Sequence, residues 1–188
     1  MLAGFQDAFV ALAADIALRR RFAADPDAVL VGYALDARER ASLRAIPADA
    51  LEHYARSLVA KRWHELARVV PLTLRVAPGL AAHHREWALA HPARANTPIA
   101  SPGVAEAMRA EAAMRDALSG EAEAPYAADL WTLEVRRAAA RAGAEVPDLA
   151  SRFPIVELAA SVARGLLPID PDPAPRPVRF RFPRAGAL

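Results

Sequence analysis

Cysteine is absent from the 188 residues, which excludes disulfides, thiol nucleophiles and cysteine-ligated zinc or iron–sulfur sites within this chain. Lysine is almost absent as well: Lys61 is the one ammonium side chain, and the other 23 basic residues are arginine. Glycine occurs 8 times, and Gly4, Gly32, Gly79, Gly103, Gly120, Gly143, Gly165 and Gly186 assemble no phosphate-cradling loop. Aromatic residues make up 6% of the chain. No run approaches the roughly 18 uncharged apolar residues that a membrane span needs. Residues 1–15 lack the basic start and cleavage site of a signal peptide, so the expected location is the cytoplasm, without a membrane partner.

What is present favours helix. Alanine supplies 48 residues of a hydrophobic fraction of 54%, and with leucine and arginine it dominates whole segments. The net charge is only +2, and the arginines are spread thinly except near the C-terminus. This usage reads first as base composition, so nucleic acid is not an expected partner.

Periodicity and punctuation place the elements. Apolar residues at three- and four-residue steps (Phe5, Phe9, Leu12; Leu18, Phe22; Val29, Leu30, Tyr33; Leu43) predict short helices over 4–14, 16–24, 26–33 and 37–45. Asp25 followed by Pro26 is an N-cap with proline at the first helical position, and Asp36 with Glu39 has capping-box spacing. Pro47 opens a longer helix to Val70, striped by Leu51, Tyr54, Leu58, Val59, Trp63, Leu66 and Val70. Shorter helices follow over 72–77 and 79–90. Pro92, Pro98 and Pro102 then mark the clearest break. The expected organisation is a helical N-terminal module at 1–91, a proline-rich linker at 92–102 and a smaller helical C-terminal module at 103–188. Helices are predicted there over 103–118, 125–142 and 154–164, the last stopping at Gly165. Six prolines after Leu166 exclude further helix. Within this tail Val178, Arg179, Phe180, Arg181 and Phe182 alternate with the period of a strand, bracketed by Pro177 and Pro183 as an edge strand or extended arm. The fold class is therefore predominantly α with a short C-terminal strand.

Catalytic patterns are missing. His53 and His64 share a helix but stand about 16 Å apart along its axis. His83 and His84 point to different faces, and Pro92 ends the helix beyond His91. No pair has the i, i+4 spacing of a helical zinc motif, so no metal ligand and no cofactor is assigned to this chain. Ser42, Ser57, Ser101 and Ser119 sit in no nucleophile elbow. Glu121 and Glu123 read as solvated loop carboxylates. The chain is not expected to be an enzyme.

Two features suit binding. Lys61, Arg62 and Trp63 lie together on the long helix. Trp63 falls on the apolar stripe, in a core or interface role, and its two cationic neighbours flank that stripe within reach of an acidic partner. In the tail from Arg176 to Arg184, the four arginines Arg176, Arg179, Arg181 and Arg184 are interspersed with Val178, Phe180 and Phe182 to give one charged and one apolar strand face. Such a strand can pack on its own domain, or offer its edge to an extended peptide.

Residues 5–56 carry a pattern, Phe22, Asp25, Pro26, Ala28, Val29, Leu30, Tyr33 and Leu35, that resembles the small helical module of the extradiol ring-cleavage dioxygenase alpha subunit. That module packs beside the iron-holding subunit and is not the catalyst. The glycine-histidine-proline ending of that family is missing here. Arg56 to Thr73, the helix around Asp129, Leu130, Trp131 and Glu134, and the closing tail from Pro177 to Pro183 instead resemble accessory proteins of multinuclear non-heme iron oxidases that modify ribosomally made peptides. This second resemblance implies a non-catalytic partner that forms a heterodimer with the oxidase, presents the precursor peptide and leaves the iron on the other subunit. The alternatives are a DNA-binding regulator, since a related family carries that label for its helical fold, and a small structural subunit of a ring-cleavage-type dioxygenase.

Overall fold

The computed structural model describes residues 2–92, 101–168, 171–173 and 177–182, the side chain of Leu2 excepted. The fold is predominantly α, with ten helices and one two-stranded antiparallel sheet among these residues.

By its contacts the chain divides into two units, Met1–Lys61 with Arg85–Arg94, and Arg62–His84 with Ala95–Leu188. They are not consecutive in sequence. Residues 62–84, which periodicity groups with the N-terminal module, have their partners in the C-terminal half, because the Glu106 and Glu134 carboxylates bind groups between residues 62 and 84. The expected linker at 92–102 falls mostly outside the described residues.

The first unit holds α1 (Leu2–Ala14), α2 (Ile16–Ala24), α3 (Pro26–Leu30), α4 (Ala37–Arg44) and most of α5 (Ala48–Ala67). Aspartates start three of these helices. Asp15 accepts from the Ala17 and Leu18 amides, Asp25 accepts from Ala28, and Asp36 and Glu39 close a reciprocal capping box. The helices bury Ala8, Leu12, Phe22, Val29, Leu30, Leu43 and Leu51 in one core, ringed by Phe5, Phe9, Leu18 and Tyr33. The Arg19 guanidinium is also buried. It donates to the Leu12 and Ala13 carbonyls at 3.0 and 2.8 Å, satisfying the C-terminal end of α1, and to Glu52 at 3.3 Å.

Of the expected stripe along α5, Leu58, Val59 and Trp63 are half-buried, and Tyr54 is the residue that departs from it. Tyr54 is 44% exposed, and the buried positions are Leu51, Ala55 and Leu66. At about 100° per residue Leu51, Ala55 and Leu66 fall within about 60° of one another, so one face of the helix stays inward, and the unit boundary falls between Lys61 and Arg62.

The second unit contains the end of α5, α6 (Pro71–Val76), the start of α7 (Leu80–Ala90), α8 (Pro102–Leu118), α9 (Ala127–Arg141), β1 (Leu149–Ser151), α10 (Ile155–Ala163) and β2 (Val178–Phe180). α8 packs on α9, with α6, α10 and β1 against the rest of α9. Trp131, Tyr126, Leu130, Leu133, Met114 and Ile155 fill this core with no solvent contact or almost none. At Gly103 a Cβ would collide with the Glu65 carbonyl oxygen, so glycine lets the first turn of α8 lie directly on the last turns of α5. Gly165 ends α10 at φ +84°, and the amide of Leu166 reaches back to the Ser161 carbonyl at 3.0 Å. β2 pairs antiparallel with β1, Phe180 opposite Leu149 and Val178 opposite Ser151. The three residues of β1 are too few for alternation to announce them.

Candidate functional site

Arg62 and Trp63 turn inward. Arg62 donates from Nε to Glu106 at 2.9 Å, with its Nη2 at 2.7 Å from the same oxygen. His84 Nε2 lies 3.1 Å from that oxygen, and Arg109 approaches the other one at 3.4 Å. The half-buried Trp63 ring lies 5.3 Å from the His84 ring, and of Lys61, Arg62 and Trp63 only Lys61 is exposed. Burial by itself would raise the Glu106 carboxyl. The hydrogen bonds from His84 and Arg62, together with the charge of Arg62, more than offset that and hold it below the ordinary carboxylate range. Arg62 is thus spent on a buried carboxylate, which corrects the expectation that it reaches outward to an acidic partner.

The tail strand has two distinct faces. Arg179 and Arg181 are exposed, while Val178, Phe180 and Phe182 are half-buried. Phe180 and Phe182 meet edge to face at 4.8 Å, and the Arg137 guanidinium lies over the Phe180 ring at 4.9 Å. Arg181 pairs loosely with Asp148 at 3.7 Å. Arg184 lies outside the described residues. No third strand joins β1 and β2 among the described residues.

Arg137 also lines a cleft of about 720 Å³ in the second unit. Glu134, Arg137, Ala138 and Arg141 line it from one face of α9, at positions i, i+3, i+4 and i+7. Across from them stand Arg68, Val69 and Leu72, with Val104 from α8. Glu134 is buried, and its two oxygens accept from the Leu72 amide, the Thr73 amide and the Thr73 hydroxyl, each at 2.8 Å. Burial pushes its carboxyl above the ordinary range, and these three donors, with the charge of Arg137, pull it part of the way back. Arg137 is shifted below the ordinary arginine value, first by burial and then by repulsion from Arg141, with Glu134 acting the other way.

Sequence reasoning assigned none of Arg68, Arg137 and Arg141 to a site. The signal for two of them was there, since the spacing 134, 137, 138, 141 marks one helical face. Nothing in the sequence places α5 and α6 opposite that face. Among the described residues no group of three or more histidines and carboxylates is placed to hold a metal ion, and no helix is long and apolar enough to cross a membrane. No family model, no curated protein and no solved structure matches the chain.

Proposed function

We propose that this chain is a non-catalytic partner subunit of a multinuclear non-heme iron oxidase, and that it holds the oxidase's ribosomal precursor peptide for modification. The observation that carries the reading is the setting of β2. The strand is anchored through β1 along one edge, no described strand covers the other, and its Phe180 ring is held by Arg137, which also lines the cleft. A sheet edge beside a groove suits an extended peptide: main-chain hydrogen bonds supply affinity, and side-chain pockets supply choice. The sequence resemblance to oxidase accessory proteins supplies the identity of the partner. Because Arg62 is held by the buried Glu106, the contact surface is read as β2 and the cleft of the second unit.

Co-expression with an adjacent iron oxidase and its short peptide tests this. The expected result is a stable complex and a peptide whose mass changes only when this chain is present. Full modification by the oxidase alone overturns the reading.

A further inference from the structure

The cleft against α9 carries a charge arrangement that its own residues do not neutralise. Three guanidinium groups line it, from Arg68, Arg137 and Arg141, with two carboxylates, Glu65 and Glu134. Glu134 is committed to the first turn of α6 through three hydrogen bonds. Glu65 lies 3.9 Å from Arg68, at the limit of an ion pair. Arg137 rests on the Phe180 ring, and Arg141 forms no ion pair among the described residues. Arg137 and Arg141 are four residues apart on one helix face, where like charges repel. An anion seated between them would replace that repulsion with charge-assisted hydrogen bonds, which are the stronger kind.

The rest of the lining limits what the anion belongs to. Val69, Leu72, Val104 and Ala138 give the cleft an apolar wall next to the cations, and its volume exceeds the need of a single inorganic ion. Nucleic acid fits poorly. A single strand asks for a continuous basic track with free aromatic faces for stacking, whereas the Phe180 ring is already covered by Arg137.

We infer that the cleft binds a carboxylate-bearing peptide segment, with the carboxylate between Arg137 and Arg141 and a neighbouring apolar side chain against Val69, Leu72 and Val104. The inference rests on the reading of this chain as a peptide-holding subunit, and it names the feature of the peptide that is recognised. The carboxylate comes either from an acidic side chain or from the peptide's C-terminus.

The experiment follows the arginine Nε–H resonances of the full chain by NMR during titration with three blocked dipeptides: acetyl-Glu-Leu-amide, acetyl-Gln-Leu-amide and acetyl-Gln-Leu with a free carboxylate. Saturable shifts at Arg137 and Arg141 with the first or the third, and none with the second, are expected and identify the carboxylate's source. Arg141→Gln should weaken that binding by at least about 5-fold, and Arg141→Lys should restore part of it. Arg141 is exposed, and its substitution leaves the core intact. Equal response to all three dipeptides, no response to any, or tighter binding of a thymidine decanucleotide overturns the inference. The two proposals fail separately. If the dipeptides discriminate while the oxidase works without this chain, the partner reading falls alone. If the oxidase requires this chain but no dipeptide discriminates, the carboxylate site falls alone.

Discussion

The Arg62 guanidinium lies 2.7 Å from the Glu106 carboxylate, although the two residues are 44 positions apart and both side chains are largely out of water. A buried ion pair of this kind contributes little net stability when intact, because desolvation offsets attraction, but it is costly to break from one side. Glu106→Gln should therefore lower the unfolding free energy by about 2–4 kcal/mol, leaving Arg62 without its counter-charge. Urea denaturation measures this, and a loss under about 1 kcal/mol, the range of an exposed pair, would show that the pair is solvated.

Acid should act through the same carboxyl. The folded Glu106 carboxyl lies below the ordinary value of 4.5, so its contribution is fully present above that value and is lost as pH falls through the depressed one. Glu134 has the opposite sign. Its folded value is raised, so it favours the folded state at low pH, and that contribution is lost as pH rises from 4.5 through the raised value. Melting temperatures measured in steps through the acid range should fall more steeply for the wild type than for Glu106→Gln. Parallel curves for the two proteins would exclude the assignment.

Glu134 caps α6 across the unit, and its removal should depend on what replaces it. Glu134→Ala leaves the Leu72 and Thr73 amides without their acceptor and should cost about 2–4 kcal/mol. Glu134→Gln keeps one acceptor oxygen for the Thr73 donors but turns its amide nitrogen toward the Leu72 N–H, so it should cost less than Glu134→Ala while still being destabilising. Equal losses in chemical denaturation would mean that the charge, not the capping, sustains the contact.

Trp131 is fully buried, and its indole N–H has no acceptor among the described residues. Trp131→Phe removes that donor along with some volume, so the relief offsets part of the cavity cost. Trp131→Ala should cost about 3–5 kcal/mol, and Trp131→Phe markedly less. Thermal unfolding of the pair would settle the ratio.

Phe180 ties the tail strand to Arg137 and Phe182. Phe180→Ala should raise hydrogen exchange at Leu149–Ser151 and Val178–Phe180 while shifting global stability by only about 1 kcal/mol, because a short peripheral strand opens locally before the core does. A change confined to the α8 and α9 amides would contradict this placement.

The helices were largely legible in the sequence because their signals are local. The Asp15, Asp25 and Asp36 caps lie within three residues of the amides they bind, and the predicted stop at Gly165 follows from a single left-handed backbone position. The candidate site was legible only in part. The alternation of Val178 to Phe182 announced β2, whereas β1 left no pattern over three residues. The position of Arg62 beside an apolar stripe does not reveal which neighbouring helix brings a carboxylate to it. The same holds for Arg68, Arg137 and Arg141, whose common cleft is formed by residues distant in sequence.

By itself the sequence determined a cysteine-free, predominantly helical chain, the start of most helices and the strand period of its tail. These depend on backbone propensity, capping and spacing within a few residues. Only the tertiary structure decided that residues 62–84 belong with the C-terminal unit, that Glu106 gathers Arg62, His84 and Arg109, and that Arg68 faces Arg137 and Arg141 across one cleft. The physical reason is range. A hydrogen bond to the next turn is encoded where it is made, but the partner of a buried charge is set by which distant helices exclude water together.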